Sequence, residues 1–448
     1  MVLTQLCSAA LGIGVISLIG RALLSWLPPG ELGSHRTAQL PLTWATSYLL
    51  GCISLAAATA FCALARLPFS SAAIAGAGAL LGLARLLSLP AALVPRHEVH
   101  RERTRNGSRA MFALAFGIVF WAAWRMEVTT DAGHWATRAQ ALLSRGSIAG
   151  IDDPANGALP AAPFESASLA FIAWPSGAIS SIAARLHWLA CAIAVLLLSE
   201  RCMATARRAP LGRRMLLVPL ALALSVAATA EDGNLGSAAL LALLVCGLVS
   251  WTRRADARGL ALACIASCAL PLTRPDGWVL GLAGLCAVIL SSARPSTGRA
   301  LLWSLGCALS LMFVWPLAAW TRGVPWFGGE ALAPLASSWA LGGNPWLGAW
   351  IAPVWIACGA AVGPVSQRLL HAPHAGVDAS DADRPRMDLI ELCLLLGAVA
   401  IGALCLIVLA GQPLSLVART WAPGLLVQTA PLAAVFAARG LVRAERDA

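Results

Sequence analysis

The chain has 448 residues, of which 59% are hydrophobic and only 12% charged, with a mean hydropathy of +0.76. A soluble domain carries about 25% charged residues, so this composition excludes an ordinary soluble enzyme and requires a bilayer to take up the apolar surface. The positive charge behind the formal net of +11 is all arginine, because the chain holds no lysine, and that excludes a Walker A lysine or a Schiff-base lysine.

Taken in chain order, apolar runs predict membrane helices over 6–27, 43–65, 70–94 and 110–124, then over 215–230, 237–251, 259–272 and 278–292. The last four cover 300–320, 347–362, 389–411 and 425–438. Several are shorter than the ~20 residues a bilayer asks for, so their ends extend into polar sequence or the helices are broken. No cleavable signal peptide is expected, since the run from Leu6 lacks a basic n-region and contains Arg21.

Arginine clusters set the orientation. Arg96, Arg101, Arg103, Arg105 and Arg109 form one cytoplasmic loop, Arg201, Arg207, Arg208, Arg213 and Arg214 a second, and Arg253, Arg254 and Arg258 a third. Arg294 with Arg299, Arg368 with Arg384 and Arg386, and Arg439 with Arg443 and Arg446 follow the same rule. Their place in short loops between apolar runs marks topology and argues against nucleic acid as a partner. The outer loops are then 125–165, 231–236, 273–277, 321–346 and 412–424. Residues 166–199 must cross an odd number of times, and the break at Trp174-Pro175-Ser176-Gly177 predicts a partial helix followed by one crossing. The expected fold is an all-α polytopic bundle of about thirteen helices with the C-terminus inside.

Ten of the 13 cysteines lie inside apolar runs, and Cys264 with Cys268 share a helix face without a neighbouring His or acid. They read as small hydrophobes between helices, not as metal ligands. His134 and His187 are isolated in the sequence and are not taken as ligands.

The outer loops collect Asp131, Asp152, Asp153, Glu165, Glu231, Asp232, Asp276 and Glu330, beside Arg138, Arg274, Arg322 and Arg419. Ionisable groups near membrane depth usually face a cavity or one another, so this concentration predicts a polar cavity opening outward. Ala132, Trp135, Ala136, Ala139, Leu142 and Leu143 recur at helical spacing, which predicts an amphipathic helix lying along the interface and opened by Asp131. Asp131 either caps that helix and complements its dipole or deprotonates an acceptor hydroxyl arriving from outside. Glu231-Asp232 is either a polar turn at a hairpin tip or an oxygen site for a divalent cation, Mg or Mn, with Asp131 and Asp232 as the candidate ligands. In Leu272-Thr273-Arg274-Pro275-Asp276-Gly277 the Arg–Asp pair either neutralises itself within a Pro-Gly turn or places Arg274 on a phosphate. Arg322 and Arg419, each near tryptophans, are alternatives for that role.

The order of these features resembles the GT-C superfamily of membrane glycosyltransferases, in the branch of protein O-mannosyltransferases and lipid A aminoarabinose transferases. The matching pieces are Asp131 to Leu143, Pro160 with Pro163, Ala183-Ala184-Arg185-Leu186, Glu231-Asp232 to Leu241, Leu272 to Gly277 and Trp421-Ala422-Pro423-Gly424. The resemblance covers roughly residues 110–441, and the first motif departs from it in having Ala132 where a second acid stands and Trp135 in place of tyrosine. It implies a three-helix membrane segment over 1–108, a GT-C-like catalytic membrane domain over 109–441 and a short cytoplasmic tail over 442–448. It further implies a multi-pass cell-membrane enzyme, active on the extracytoplasmic face, that takes a sugar from a polyprenyl-phosphate carrier. Arg274, with Asp276, Arg138, Arg322 and Arg419 near it, would bind phosphate or substrate. Asp131 would serve as the base for an inverting displacement, and Glu231 or Asp232 would position a lipid or glycan acceptor or a cation. Two rivals stand beside this reading. A transporter or flippase would show charged groups in mid-helix and inverted repeats, and no convincing repeat is visible. A non-catalytic scaffold is compatible with Ala132.

Overall fold

The computed structural model describes residues 2–27, 40–70, 74, 78, 106–125, 134–146, 163–204, 216–229, 234–254, 256–273, 277–291, 311–318, 427–435 and 438. Among these the regular structure is entirely helical: α1 (Val2–Trp26), α2 (Leu40–Ala65), α3 (Asn106–Arg125), α4 (His134–Arg145), α5 (Pro163–Ala173), α6 (Ser181–Ala204), α7 (Leu217–Thr229), α8 (Asn234–Arg254), α9 (Ala257–Ala269) and α10 (Gly277–Ser291). Residues 311–318 and 427–435 are helical as well. Four helices, Val2–Trp26, Leu40–Ala65, Ser181–Met203 and Leu235–Thr252, are long and apolar enough to cross a membrane, and three shorter apolar helices accompany them. Of the crossings expected beyond residue 291, those over 347–362 and 389–411 lie outside the described residues, as do most residues of those over 300–320 and 70–94.

The outer helices are built for an apolar solvent. α3 turns the small residues Ala115, Val119, Ala122 and Ala123 inward and leaves Phe116, Phe120, Trp121 and Trp124 exposed. α1 buries Ala9, Gly12 and Gly20 together with Ile16, Ile19 and Leu24, while Leu3, Leu11, Leu18 and Leu23 face out. In water this arrangement would leave large apolar side chains unburied. In lipid it costs nothing and lets small residues bring backbones together. α8 stands at the other extreme, with nearly every residue from Leu235 to Val249 buried among its neighbours.

Close backbone approach fixes the crossings. A Cβ on Gly20 would collide with the Ser47 carbonyl, and one on Gly51 with the Ile16 carbonyl, so α1 and α2 run antiparallel at a separation only glycine permits. Gly247 and Gly259 pair the same way between α8 and α9. The turn joining those two helices is short: Asp256 caps α9 by accepting from the Arg258 N–H at 3.1 Å and takes a second bond from the Ser250 hydroxyl at 2.8 Å.

Three local features follow from proline and glycine. The break expected at Trp174-Pro175-Ser176-Gly177 is present: α5 tightens into one turn of 3-10 helix over Trp174–Ser176, and Gly177, in the left-handed region at φ 71°, ends it by donating to the Ala173 carbonyl before α6 begins. At Pro271 the end of α9 likewise tightens into one turn of 3-10 helix over Leu270–Leu272, with Thr273 remaining in the right-handed region at φ −93°. Gly146, at φ 66°, closes α4; its N–H donates to the Leu142 carbonyl, and its own carbonyl accepts from Phe69 beyond the end of α2.

The amphipathic helix expected from 131 onward is observed as α4, starting at His134. It shows the sharpest apolar–polar segregation of the described helices and buries Arg138, Ala139, Ala141 and Leu142 while Thr137, Ser144 and Arg145 are exposed.

Candidate functional site

Glu165 departs from its expected place in an outer loop. Pro163 opens α5, where a missing N–H does no harm at the first helical position, so the helix begins early enough to draw Glu165 into its first turn. There its side chain is only 13% exposed and both oxygens are engaged. Oε1 accepts from the Gly236 N–H at the start of α8, at 3.0 Å, and Oε2 lies 2.6 Å from His187 Nε2. The other ring nitrogen, Nδ1, is hydrogen-bonded to the Tyr48 hydroxyl at 2.6 Å.

His187 is therefore not isolated, in contrast to its appearance in the sequence. It lies about two turns into α6 and is the middle of a relay that links α2, α6, α5 and α8. Tyr48 is fully buried and stacks on Trp44 at 5.6 Å between ring centroids. It stands roughly 12 Å along α2 from Leu40 and roughly 25 Å from Ala65 at 1.5 Å per residue, well inside a helix of membrane-crossing length. The buried Cys52 lies one helical turn further along α2. A feature of the sequence that marks such a site is a single imidazole or phenol inside an otherwise apolar crossing helix, because a group so costly to bury is usually paired.

A second polar contact adjoins the first. Ser237, next to Gly236, shares a hydrogen bond of 2.7 Å with the Thr273 hydroxyl, which also donates to the Leu270 carbonyl at 2.6 Å. The start of α8 and the end of α9 are thereby joined where two of the expected loops emerge. Gly277 closes the second loop: a Cβ there would strike the Leu270 carbonyl, so residues 273 and 277 are pinned beside the same turn. Replacing Gly277 with alanine is expected to cost about 1–3 kcal/mol by forcing that turn open. A melting temperature in detergent equal to that of the wild type would show that the turn tolerates the methyl group.

Of the residues singled out for chemistry, Arg138 is placed on α4, which packs against α5, and is buried at 2% exposure. Asp131, Glu231, Asp232, Arg274, Asp276, Arg322 and Arg419 lie outside the described residues, as do Asp152, Asp153 and Glu330. The described residues that flank two of these segments in the chain are in contact, since Ser237, near the start of α8, is hydrogen-bonded to Thr273, which precedes Arg274 in sequence. Among the described residues no group of three or more His, Cys, Asp or Glu is placed to hold a metal ion, and the described cysteines, Cys264 and Cys268 included, are free thiols, most of them buried. Compared with known proteins, the chain matches no family model, no curated protein and no solved structure.

Proposed function

We propose that the chain is a membrane glycosyltransferase of the GT-C kind, with about thirteen crossings, that moves a sugar from a polyprenyl-phosphate carrier to an acceptor hydroxyl on a lipid or glycan at the extracytoplasmic face. The observation that carries this reading is the Ser237–Thr273 hydrogen bond, which holds the entry to the Arg274–Asp276 loop against the helix that follows Glu231-Asp232. In sequence, a guanidinium directly follows Thr273 and a pair of carboxylates shortly precedes α8, and these two chemistries suit the two ends of the reaction. Arg274, with Asp276, Arg138, Arg322 or Arg419 in support, would take the phosphate that departs, and a planar guanidinium matches it in two hydrogen bonds. Asp131 would remove the acceptor proton, and Glu231 or Asp232 would position the acceptor or a cation, Mg or Mn. The displacement inverts the anomeric carbon: the acceptor oxygen bonds to it, the bond to phosphate breaks, and the proton passes to the carboxylate.

The test is sugar transfer from a panel of polyprenyl-phosphate sugars by the purified protein, wild type against Asp131→Asn. Transfer by the wild type with a loss of about 10²-fold or more in the variant is expected of a general base. Equal transfer by both would remove Asp131 from the mechanism and direct attention to Glu231 and Asp232. A second reading, transport of a lipid-linked or anionic solute, is favoured by one observation, the Glu165–His187–Tyr48 relay, in which His187 and Tyr48 lie in helices of crossing length, where such groups commonly mark ion or substrate paths. Uptake of a labelled polyprenyl-phosphate sugar into vesicles, without transfer from any donor, would select it.

A further inference from the structure

The relay has a fixed hydrogen-bonding inventory. With Glu165 ionised and His187 neutral, Tyr48 donates to Nδ1, Nε2–H donates to Oε2, and the Gly236 N–H donates to Oε1. Every ring nitrogen and carboxylate oxygen is then satisfied, and the cluster carries one negative charge. One further proton can enter without moving a heavy atom. It either makes His187 an imidazolium or resides on Oε2, which then donates to Nε2. In both cases Nδ1–H now points at the Tyr48 oxygen, so the hydroxyl must turn its own proton elsewhere. The loaded cluster is neutral, which a low-dielectric interior favours.

The elements packed around it offer few competing charges. α2 contributes Tyr48 and Cys52, α5 Glu165, and α6 His187 and Cys191. Of the further neighbours, α8 presents the Gly236 amide and Ser237, α4 carries the buried Arg138, and α1, packed on α2 and α5, carries Arg21. α6 also holds Arg185, which lies 5.9 Å over the ring of Trp124.

We propose that Tyr48, His187 and Glu165 form a proton-binding site inside the helix bundle, taking up one proton per chain and coupling its occupancy to the start of α8 through Gly236. Proton uptake reverses the Tyr48–His187 hydrogen bond and converts Glu165 Oε1 from an oxygen of an anion to an oxygen of a neutral pair. The strength of the Gly236 bond changes with it, and Gly236 is the residue next to the Ser237–Thr273 contact. The site stands independently of the transferase reading, because its readout needs no substrate.

Tyr48 is the chain's single tyrosine, so a tyrosine probe reports on this site alone. The full chain, labelled at the tyrosine Cζ with carbon-13 and held in detergent or nanodiscs, is followed by NMR between about pH 4 and pH 8, below the ordinary phenol titration near 10. The wild-type resonance is expected to move in one single-proton step from an alkaline to an acid position. Glutamine at 165 is an isostere of the protonated carboxyl: its amide donates to Nε2 and its oxygen still accepts from Gly236. In Glu165→Gln the resonance is therefore expected at the acid position throughout. In His187→Gln, the check should Glu165→Gln not fold, the step is expected to vanish. A wild-type resonance that stays put overturns the proposal. So does a Glu165→Gln resonance that titrates like the wild type or sits at the alkaline position, and so does a step preserved in His187→Gln.

Discussion

Replacing Glu165 with leucine is expected to destabilise the protein more than any other substitution at the relay, by about 2–6 kcal/mol. The change leaves the Gly236 N–H and one His187 nitrogen without partners, and a buried group so orphaned costs about 1–3 kcal/mol. Helical hosts in lipid give the amide no water to turn to. Glu165→Gln keeps an oxygen for Gly236 and a polar atom for His187, so its loss should be a minor fraction of that. The measurement is thermal unfolding in one detergent at fixed pH and scan rate, because membrane proteins unfold irreversibly and their midpoints compare only under matched conditions. The expected order is wild type, then Gln, then Leu. A leucine variant as stable as the wild type would mean that the carboxylate does not join α5 to α6 and α8 as described.

The second large effect is expected in α1. Gly20→Ala places a methyl group against the Ser47 carbonyl and the Gly51 amide. Backbone atoms cannot swing aside as a side chain can, so α1 and α2 must separate along their whole contact. Overpacking of this sort costs about 1–3 kcal/mol and sometimes more. Gly14 lies in the same helix with nothing within 4 Å of its would-be Cβ, and alanine there should be neutral or stabilising by up to about 1 kcal/mol through helix propensity. The opposite signs at two glycines six residues apart make the comparison sharp. Equal effects at both would remove the close α1–α2 crossing, whereas a loss confined to Gly20 supports it.

Local chemistry made several elements legible in the sequence. Pro175 with Gly177 marked the end of α5, the spacing from Ala132 to Leu143 marked α4, the apolar runs marked α1, α2 and α8, and the odd number of crossings required of 166–199 marked α6. Each of these depends on residues close together in the chain: a ring without an N–H, a residue free to adopt positive φ, or a stretch with nothing polar to hold in water. Even so, α5 starts at Pro163, earlier than the loop boundary at Glu165 suggested, because the acid reads as a loop residue until its partners are known.

The relay itself could not be read that way. Tyr48 and His187 are 139 residues apart, and Glu165 and Gly236 are 71 apart. Which side chains meet depends on how each helix is rotated about its axis, and helices apolar on every side give no sign of that rotation. Apart from α4, the described helices separate apolar from polar faces hardly at all. The sequence by itself thus pointed to an apolar surround and to helices, since 59% hydrophobic residues in long, sparsely charged runs suit helices that cross a bilayer. The pairing of Glu165 with His187, of His187 with Tyr48 and of Ser237 with Thr273 was decided only by tertiary packing. Backbone contacts at Gly20, Gly51, Gly247 and Gly259 set the rotation and depth of the helices, and the polar groups meet where that packing leaves them.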